Sequence, residues 1–376
     1  MGQILQACDV FDLAPGQVHL NHGSFGAVPR RVAARQQAIE AEQRPNFHQF
    51  YDRSLFPLLD EARVRVADWL GVDRDGFVFA RNATTAVATA LSCLRLERGD
   101  QVVTTSVEYP STYANLYRAC DRAGAELVVV DVGGSDDAAV LDRVSAAVGP
   151  RTAAVVVSAV TSPLSTLLPV NALDDALAGQ RAVLVVDGAH VPGLVDVDLG
   201  ALGSAFFCTT LHKWACFPRG TGGLYVPPSH RADARPLVDA LFADSASMTE
   251  RFAWSGTDSY GGFLVADEVL EVHRAAQDAG WTYAAELVAD HARERMSQAW
   301  PAAVPVSDPR VRRMLTWRLP QVREVELKTF LRDRGVWTWM GELDGETHLR
   351  VSAAWYTTVE DVERLMGLLE QFRTAG

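Results

Sequence analysis

The stretch Cys208-Thr-Thr-Leu-His-Lys-Trp-Ala-Cys-Phe-Pro-Arg-Gly-Thr-Gly-Gly223 places a lysine between an apolar run and a glycine-rich turn. The run that leads into it, Ala205-Phe-Phe-Cys-Thr-Thr210, is typical of a buried β-strand. A lysine at the end of such a strand is brought into the interior, beside any ligand bound at the carboxyl edge of the sheet. Burial there favours the neutral amine, which is a nucleophile toward an aldehyde. The sequence therefore predicts that Lys213 forms a Schiff base.

A second apolar run ends in an acid. Ala182-Val-Leu-Val-Val-Asp187 is followed directly by Gly188-Ala-His190. A carboxylate at the end of a buried strand can keep the pyridine nitrogen of pyridoxal phosphate protonated, so that the ring withdraws electrons. Together, Asp187 and Lys213 predict a pyridoxal phosphate site.

These motifs carry a family resemblance. Asp187-Gly-Ala-His190 followed by Thr210-Leu-His-Lys213 resembles the class V aminotransferase family of fold-type I pyridoxal-phosphate enzymes. Asn21-His-Gly-Ser-Phe-Gly26 and the pair Lys213-Trp214 narrow the resemblance to the isopenicillin N epimerase-like branch. The resemblance covers nearly the whole chain.

The expected fold class is α/β. Nearly continuous apolar runs alternate with helical stretches between residues 77 and 226, which predicts a mainly parallel sheet covered on both faces. Seven such runs agree with the fold-type I sheet, to which the resemblance adds a smaller C-terminal α+β domain. We expect an N-terminal segment over residues 1–30, a large cofactor domain over 31–260 and a small domain over 261–376. Two helices are expected after the sheet, at residues 231–243 and at about 261–279.

Composition restricts the function. With 376 residues, of which 48% are hydrophobic, the chain can bury a large core and is long enough for two domains. The formal net charge of −12 argues against a nucleic-acid partner, because phosphate binding needs a basic patch. Five scattered cysteines favour reduced thiols and a cytoplasmic protein. No signal peptide or membrane-spanning run is evident, so a soluble protein without a membrane partner is expected, and no metal site.

One helix start is suited to a phosphate. Arg81-Asn-Ala-Thr-Thr opens a helix with small residues and hydroxyls, which exposes N–H groups and the positive end of the helix dipole. The resemblance implies that the cofactor phosphate lies here, on Ala83, Thr84 and neighbouring amides. It also implies further phosphate contacts from Thr210 and His212.

Three other residues are assigned to the cofactor. An aromatic ring at the carboxyl end of a strand can stack on a flat ring, and the resemblance implies this role for Tyr109. His190 is expected to bond the hydroxyl edge of the cofactor ring. Thr257 is expected to reach the cofactor phosphate of a partner subunit, because related enzymes are homodimers whose active sites are shared.

The substrate residues follow from the ends of the chain. Arginine matches a carboxylate with two parallel hydrogen bonds and is costly to bury in a strand without a suitable partner. Arg350, in His348-Leu-Arg-Val-Ser352, is therefore expected to bind a substrate carboxylate, as the resemblance also implies. Asn21 and Ser24 are implied to lie near the substrate.

The predicted chemistry is an amino-acid substrate joined to the cofactor as an external aldimine, with Lys213 as the base at its α-carbon. We favour β-elimination from a cysteine conjugate, a carbon–sulfur lyase reaction in secondary metabolism such as antibiotic biosynthesis. Epimerisation, decarboxylation and aldehyde-forming deamination stay open, as does a non-catalytic ligand-binding protein. Desulfuration through a persulfide is disfavoured, because no cysteine follows Cys216.

Overall fold

The computed structural model describes residues 10–375. The first nine residues of the expected N-terminal segment, which include Cys8, lie outside this range. The strands are β1 Val18–His19, β2 Phe77–Ala80, β3 Gln101–Thr105, β4 Glu126–Val130, β5 Thr152–Ser158, β6 Val183–Asp187, β7 Phe206–Thr210, β8 Gly222–Tyr225, β9 Val304–Pro305, β10 Met314–Leu319, β11 Val336–Trp337, β12 Trp339–Leu343 and β13 Glu346–Ser352. The α-helices are α1 His22–Phe25, α2 Arg30–Gln43, α3 Phe47–Gln49, α4 Leu55–Leu70, α5 Ala83–Cys93, α6 Pro110–Ala123, α7 Asp137–Ala147, α8 Val170–Leu177, α9 Met248–Ala253, α10 Ala266–Asp278, α11 Trp281–Ala299, α12 Glu324–Arg332 and α13 Val359–Ala375.

The large sheet has seven strands in the order β2-β8-β7-β6-β5-β3-β4. Neighbours from β7 to β4 pair in parallel, whereas β8 is antiparallel to both β2 and β7. The predicted seven-stranded, mainly parallel sheet is confirmed. Because parallel strands end at the same edge, the residues that follow β3, β5, β6 and β7 lie along one edge of the sheet.

Burial follows the position of each strand. All seven residues of β5, in the middle of the sheet, are buried, whereas β4, at its edge, is partly exposed. The core beneath the sheet is aliphatic and aromatic, with Val156, Val185, Phe206 and Leu224 among its members. Continuous apolar runs therefore marked the central strands correctly.

Helix α5 is held closely against β8. A Cβ atom at Gly222 would lie 2.5 Å from the carbonyl oxygen of Thr209 and 2.8 Å from Cα of Asn82, the residue that caps α5. Both are backbone atoms, so the chain admits only glycine there without a local shift. This contact fixes where the first turn of α5 begins.

The chain forms two compact units. One contains Val32–Thr161 and Leu168–Leu270; the other contains the residues up to Arg31, Ser162–Leu167 and Glu271 onward. The short segment Ser162–Leu167 therefore belongs with the C-terminal part of the chain. The boundaries expected at residues 30 and 260 stay a prediction.

The second unit is built on a four-stranded antiparallel sheet, ordered β12-β13-β10-β9. Its N-terminal segment adds β1, which pairs in parallel with β11. Residues of α11, α12 and α13 pack with this sheet into a separate core, which includes Leu315, Leu349, Leu365 and Leu369. The expected α+β character of this part agrees with the structure.

The helix expected at residues 231–243 is wrong. The segment forms turns, because Pro236 interrupts the helical pattern and the buried guanidinium of Arg251 takes backbone carbonyls that a helix would use. Arg251 Nε donates to the carbonyl oxygen of Ala234 at 3.0 Å. The helix expected from about residue 261 begins instead at Ala266, after the poor helix formers Gly261 and Gly262.

Candidate active site

Asp187 is the buried carboxyl group at the carboxyl end of β6. Its Oδ2 accepts a hydrogen bond from Thr112 Oγ1 at 3.0 Å, and its Oδ1 accepts one from the amide of Ala189 at 3.1 Å. Burial raises the pKa of Asp187, and Lys213, when it is protonated, opposes that rise. A cationic ligand at this edge would favour the ionised carboxylate in the same way.

Lys213 lies in a tight turn just after β7. The turn is closed by the amide of Cys216, which donates to the carbonyl oxygen of Lys213 at 3.0 Å, and Cys216 has a positive φ of 61°. Lys213 Nζ lies 3.4 Å from Nε2 of His190, which is buried in the turn after β6. The structure thus brings Lys213 and His190 together, and Lys213 is near enough to Asp187 to influence its charge.

The start of α5 supplies hydrogen-bond donors. Asn82 caps the helix by accepting from the amide of Thr85 at 2.8 Å, and Thr210 Oγ1 accepts from the amide of Ala83 at 3.0 Å. Between them lies Thr84, in the first turn of α5, where backbone N–H groups have no partner within the helix. Because Thr210 Oγ1 already accepts a bond, its hydroxyl hydrogen can be donated to a ligand. This combination suits a phosphate.

His212 has a defined protonation pattern. Its Nδ1 lies 3.1 Å from the carbonyl oxygen of Thr221, which only accepts, so Nδ1 carries a hydrogen. Burial lowers the pKa of His212, which favours the neutral ring with an unprotonated Nε2. A contact from Nε2 to a phosphate would therefore require His212 to take up a second proton.

Tyr109 caps α6 at the carboxyl end of β3, and its side chain is 44% exposed. The amide of Thr112 donates to the carbonyl oxygen of Tyr109 at 2.9 Å, and the hydroxyl of Thr112 binds Asp187. The ring is therefore carried by the same helical turn that binds the buried carboxyl group. Stacking on a cofactor ring stays a prediction.

Glu108 is a buried carboxyl group that sequence reasoning missed as a site residue. It accepts from Thr105 Oγ1 at 2.6 Å, from the amide of Ser158 at 3.0 Å and from Ser158 Oγ at 2.5 Å. Burial, with a smaller contribution from the charge of Asp187, raises the pKa of Glu108 to about 7 despite these donors. An acid directly before the ring-stacking candidate was the only sequence signal for it.

Arg350 organises a polar cluster in the second unit. It is 1% exposed, within β13. Its Nη1 donates to the carbonyl oxygen of Ser162 at 2.8 Å and to Ser162 Oγ at 3.0 Å, and its Nη2 donates to Ser24 Oγ at 3.0 Å and Asn21 Oδ1 at 3.4 Å. The guanidinium carbon lies 4.9 Å from the ring centre of Trp339, its cross-strand neighbour. These contacts orient the guanidinium through neutral groups.

The structure therefore joins three predicted residues, Asn21, Ser24 and Arg350, and adds Ser162 and Trp339. Ser162 lies in a short segment far from Arg350 in sequence, and no local pattern pointed to it. The N-terminal segment is tied to β13 as well, since the amide of Gly23 donates to Ser352 Oγ at 3.2 Å.

Four aromatic residues that lie close together in sequence, Trp337, Trp339, Trp355 and Tyr356, have separate surroundings. Trp339 covers Arg350, whereas Trp355 Nε1 donates to Thr282 Oγ1 at 3.1 Å and Tyr356 packs edge-on against His22. Trp337 is exposed and bonds Gln17.

Thr257 is exposed in the turn after α9. Its neighbour Asp258 forms an ion pair with Arg81, which directly precedes the cap of α5. The turn is thus fastened near the proposed phosphate end of the site, but the reach of Thr257 to a partner subunit stays a prediction.

These groups fit pyridoxal phosphate. Lys213 supplies an amine for the aldehyde, Asp187 supplies a buried carboxyl group for the ring nitrogen, and the start of α5 with Thr210 supplies donors for the phosphate. No cluster of histidine, cysteine or acidic side chains able to hold a metal ion occurs within residues 10–375.

Comparison with known proteins identifies the class. A sequence model of the family described as Aminotransferase class-V matches residues 37–365. The isopenicillin N epimerase of Streptomyces clavuligerus is 28% identical in an alignment that is 384 residues long with its gaps and covers 95% of this chain and 95% of that protein. A probable chloroplastic L-cysteine desulfhydrase of Arabidopsis thaliana is 27% identical over 68% of this chain and 58% of its own length. The solved complex of a cystine C-S lyase with its product cysteine persulfide superposes with a TM-score of 0.83 at 19% identity, covering 95% of this chain and 98% of that one.

The chain belongs to the class-V aminotransferase family, and its relatives include isopenicillin N epimerases. It has the fold-type I architecture and is a pyridoxal phosphate-dependent enzyme. In the described part of the chain, no helix combines the length and the apolar character needed to cross a membrane.

The raised pKa of Glu108 predicts a pH-dependent stability of the cofactor-free protein. The folded carboxyl group holds its proton up to about pH 7, against an ordinary value of 4.5, so its stabilising contribution is present at low pH and is lost as pH rises through this window. Urea unfolding of the wild type and of Glu108→Gln should show the wild type losing on the order of 2 kcal/mol relative to the variant between about pH 5 and pH 8. The surface change Glu97→Gln should leave the pH profile as it is. Parallel profiles for wild type and Glu108→Gln would refute this role for the buried carboxyl group.

Proposed function

We propose that this enzyme removes the α-proton of an amino acid and eliminates its β-substituent, acting as a carbon–sulfur lyase on a cysteine conjugate. The observation that supports it most directly is the Lys213 amine beside His190, at the sheet edge where Asp187 is buried. When bound, pyridoxal phosphate supplies an aldehyde for the substrate amine and a protonated ring that withdraws electrons from the α-carbon.

The chain's own residues account for proton movement. The amine of Lys213 takes the proton from the α-carbon and holds it as an ammonium group. Asp187, as a carboxylate, stabilises a protonated ring nitrogen, and His190 presents a ring nitrogen to Lys213. Burial of Asp187 and His190 excludes water and strengthens these electrostatic effects.

Elimination follows if the electrons left by the α-proton expel the sulfur. The bond between Cβ and sulfur breaks, the thiolate takes up a proton, and water completes the net reaction to pyruvate, ammonia and a thiol. Sulfur transfer to a protein cysteine is disfavoured, since the sequence has no cysteine after Cys216, and Cys216 itself is buried. The desulfhydrase relative is consistent with this outcome.

Epimerisation is the second candidate. It is favoured by the isopenicillin N epimerase relative, whose alignment covers 95% of both chains. It shares the first step with elimination and differs in the return of a proton to the opposite face of the α-carbon. Lys213 alone, on one face, does not provide that proton.

Elimination and epimerisation give different products when the reaction is run in heavy water. Borohydride treatment and peptide mass mapping first establish a pyridoxyl group on Lys213. Incubation with cystine, S-methylcysteine and its S-oxide should then yield pyruvate together with an equal amount of cysteine persulfide, methanethiol and methanesulfenate, respectively, with no product from Lys213→Ala. Amino acid that is recovered α-deuterated in both configurations, without pyruvate, would show epimerisation instead. If a cofactor-loaded Lys213 gives neither result with any amino acid, the proposal fails.

Arg350 is proposed to bind the substrate carboxylate. Its two Nη atoms are held by Ser162, Ser24 and Asn21, all neutral, and Trp339 covers one face of the guanidinium. A preoriented fork loses little entropy when it forms two parallel hydrogen bonds to a carboxylate. The same contacts give Asn21 and Ser24 a role in orienting the substrate site.

Substitution Arg350→Gln should raise KM for the amino acid about 10- to 100-fold, because hydrogen bonds to a charged group are lost. The corresponding amine, which is the substrate without its carboxylate, should exchange its α-proton at similar rates in the wild type and in Arg350→Gln. Arg318→Gln, which breaks the partly exposed pair with Glu346 on the neighbouring strand, serves as the control and should leave KM unchanged. An equal loss with the acid and the amine would show a structural effect.

We propose a cytoplasmic homodimer with shared sites, as the family resemblance implies. The four cysteines in the described part of the chain are free thiols, as expected in a reducing compartment. Exposed apolar side chains at Leu237, Val238 and Leu241 are consistent with a surface that a second copy covers. Sedimentation velocity should give a dimer, and a monomer at micromolar concentration would contradict it.

A further inference from the structure

Trp214 is the neighbour of the reactive lysine, and no step described above uses it. It is 3% exposed, and its Nε1 donates to Nδ1 of His190 at 3.4 Å. On the other side of the same imidazole, Nε2 lies 3.4 Å from Nζ of Lys213. Two consecutive residues of one turn therefore reach the two nitrogens of one buried ring.

The indole contact decides where the imidazole carries its hydrogen. An indole N–H only donates, so Nδ1 of His190 must accept and has no hydrogen of its own. A neutral imidazole then carries its single hydrogen on Nε2. That N–H faces the amine of Lys213.

The hydrogen on Nε2 in turn restricts Lys213. An ammonium group has donors and no acceptor, so it cannot accept the Nε2–H. A neutral amine has a lone pair and can. The bond that His190 Nε2–H directs at Lys213 is therefore made with the neutral amine, the form that attacks an aldehyde and removes a proton.

The backbone holds this arrangement in place. A Cβ atom at Gly193 would lie 2.5 Å from the carbonyl oxygen of Trp214, so the turn that carries His190 packs directly on the turn that carries Lys213. The latter turn is closed again by the amide of Phe217, which donates to the carbonyl oxygen of Leu211 at 3.2 Å. The backbone segments that carry the two rings are thus packed against each other.

We propose that Trp214 is a positioning residue, which fixes the Nε2–H form of His190 and thereby directs a hydrogen bond at the neutral amine of Lys213. The proposal rests on the proposed function only in taking Lys213 as the reactive group. The tautomer itself is a property of the protein without cofactor.

The tautomer is measured directly in the cofactor-free full chain. Nitrogen-15 NMR of histidine-labelled protein, with the His190 signals assigned by their loss in His190→Gln, should show a hydrogen on Nε2 and a bare Nδ1. Trp214→Phe, which keeps a ring and removes the donor, should give a mixture of both forms. A wild-type His190 with its hydrogen on Nδ1 would overturn the proposal, whatever the fate of the proposed function.

The consequence for Lys213 is measured as the rate of pyridoxal phosphate uptake, followed by absorbance. Trp214→Phe should slow uptake about three- to tenfold near pH 7, the effect of one hydrogen bond, and the ratio should narrow as pH rises. In a His190→Gln background the same change should have no further effect. Trp355→Phe, which removes the indole bond to Thr282 in the other unit, is the matched control and should leave the rate unchanged. Equal slowing by Trp214→Phe in both backgrounds would show a packing role and refute the proposal.

Discussion

Two carboxyl groups buried beside each other at one sheet edge are the constraint around which the large unit is arranged. Asp187 and Glu108 are each removed from water, and the charge of Asp187 makes ionisation of Glu108 harder. Both accept hydrogen bonds, which come from the hydroxyls of Thr105, Thr112 and Ser158 and from two backbone amides. Because these donors come from β3, β5, α6 and the turn after β6, satisfying the carboxyl groups also links the loops that surround them. A bound cation would recover part of the desolvation cost.

The second unit contains a buried cation instead, and this group is also held by hydrogen bonds to the polar groups around it. Arg350 is held by carbonyl, amide and hydroxyl oxygens and by the face of Trp339. These groups fix the direction of the guanidinium. The N-terminal segment and Ser162–Leu167, which supply those oxygens, belong to this unit. Polar contacts to Arg350 therefore join three parts of the unit that are distant in sequence.

Much of the fold could be predicted from the sequence because buried strands and helices show a recognisable pattern of apolar residues along the chain. Apolar runs marked all seven strands of the large sheet, and the apolar residues of Leu55–Leu70, which forms α4, have helical spacing. The polar residues at the ends of β6 and β7 were evident for the same reason. The roles that the sequence did not reveal, those of Glu108, Ser162 and Trp214, depend on hydrogen bonds between segments distant in sequence. The false helix at residues 231–243 failed because Arg251, outside that window, takes its carbonyls.

The position of β8 bears on how a newly made chain acquires its cofactor. The start of α5 is completed by Gly222 in β8 and by the hydroxyl of Thr210, which are synthesised long after α5 itself. A nascent chain that has only reached β6 therefore has the helix but neither its neighbours nor Lys213. Since a ligand stabilises only the state that binds it, the cofactor cannot stabilise a partly synthesised unit that still lacks the proposed site. Binding at the proposed site instead requires β7 and β8 to have joined the sheet, so uptake of the cofactor there would report that the sheet is complete.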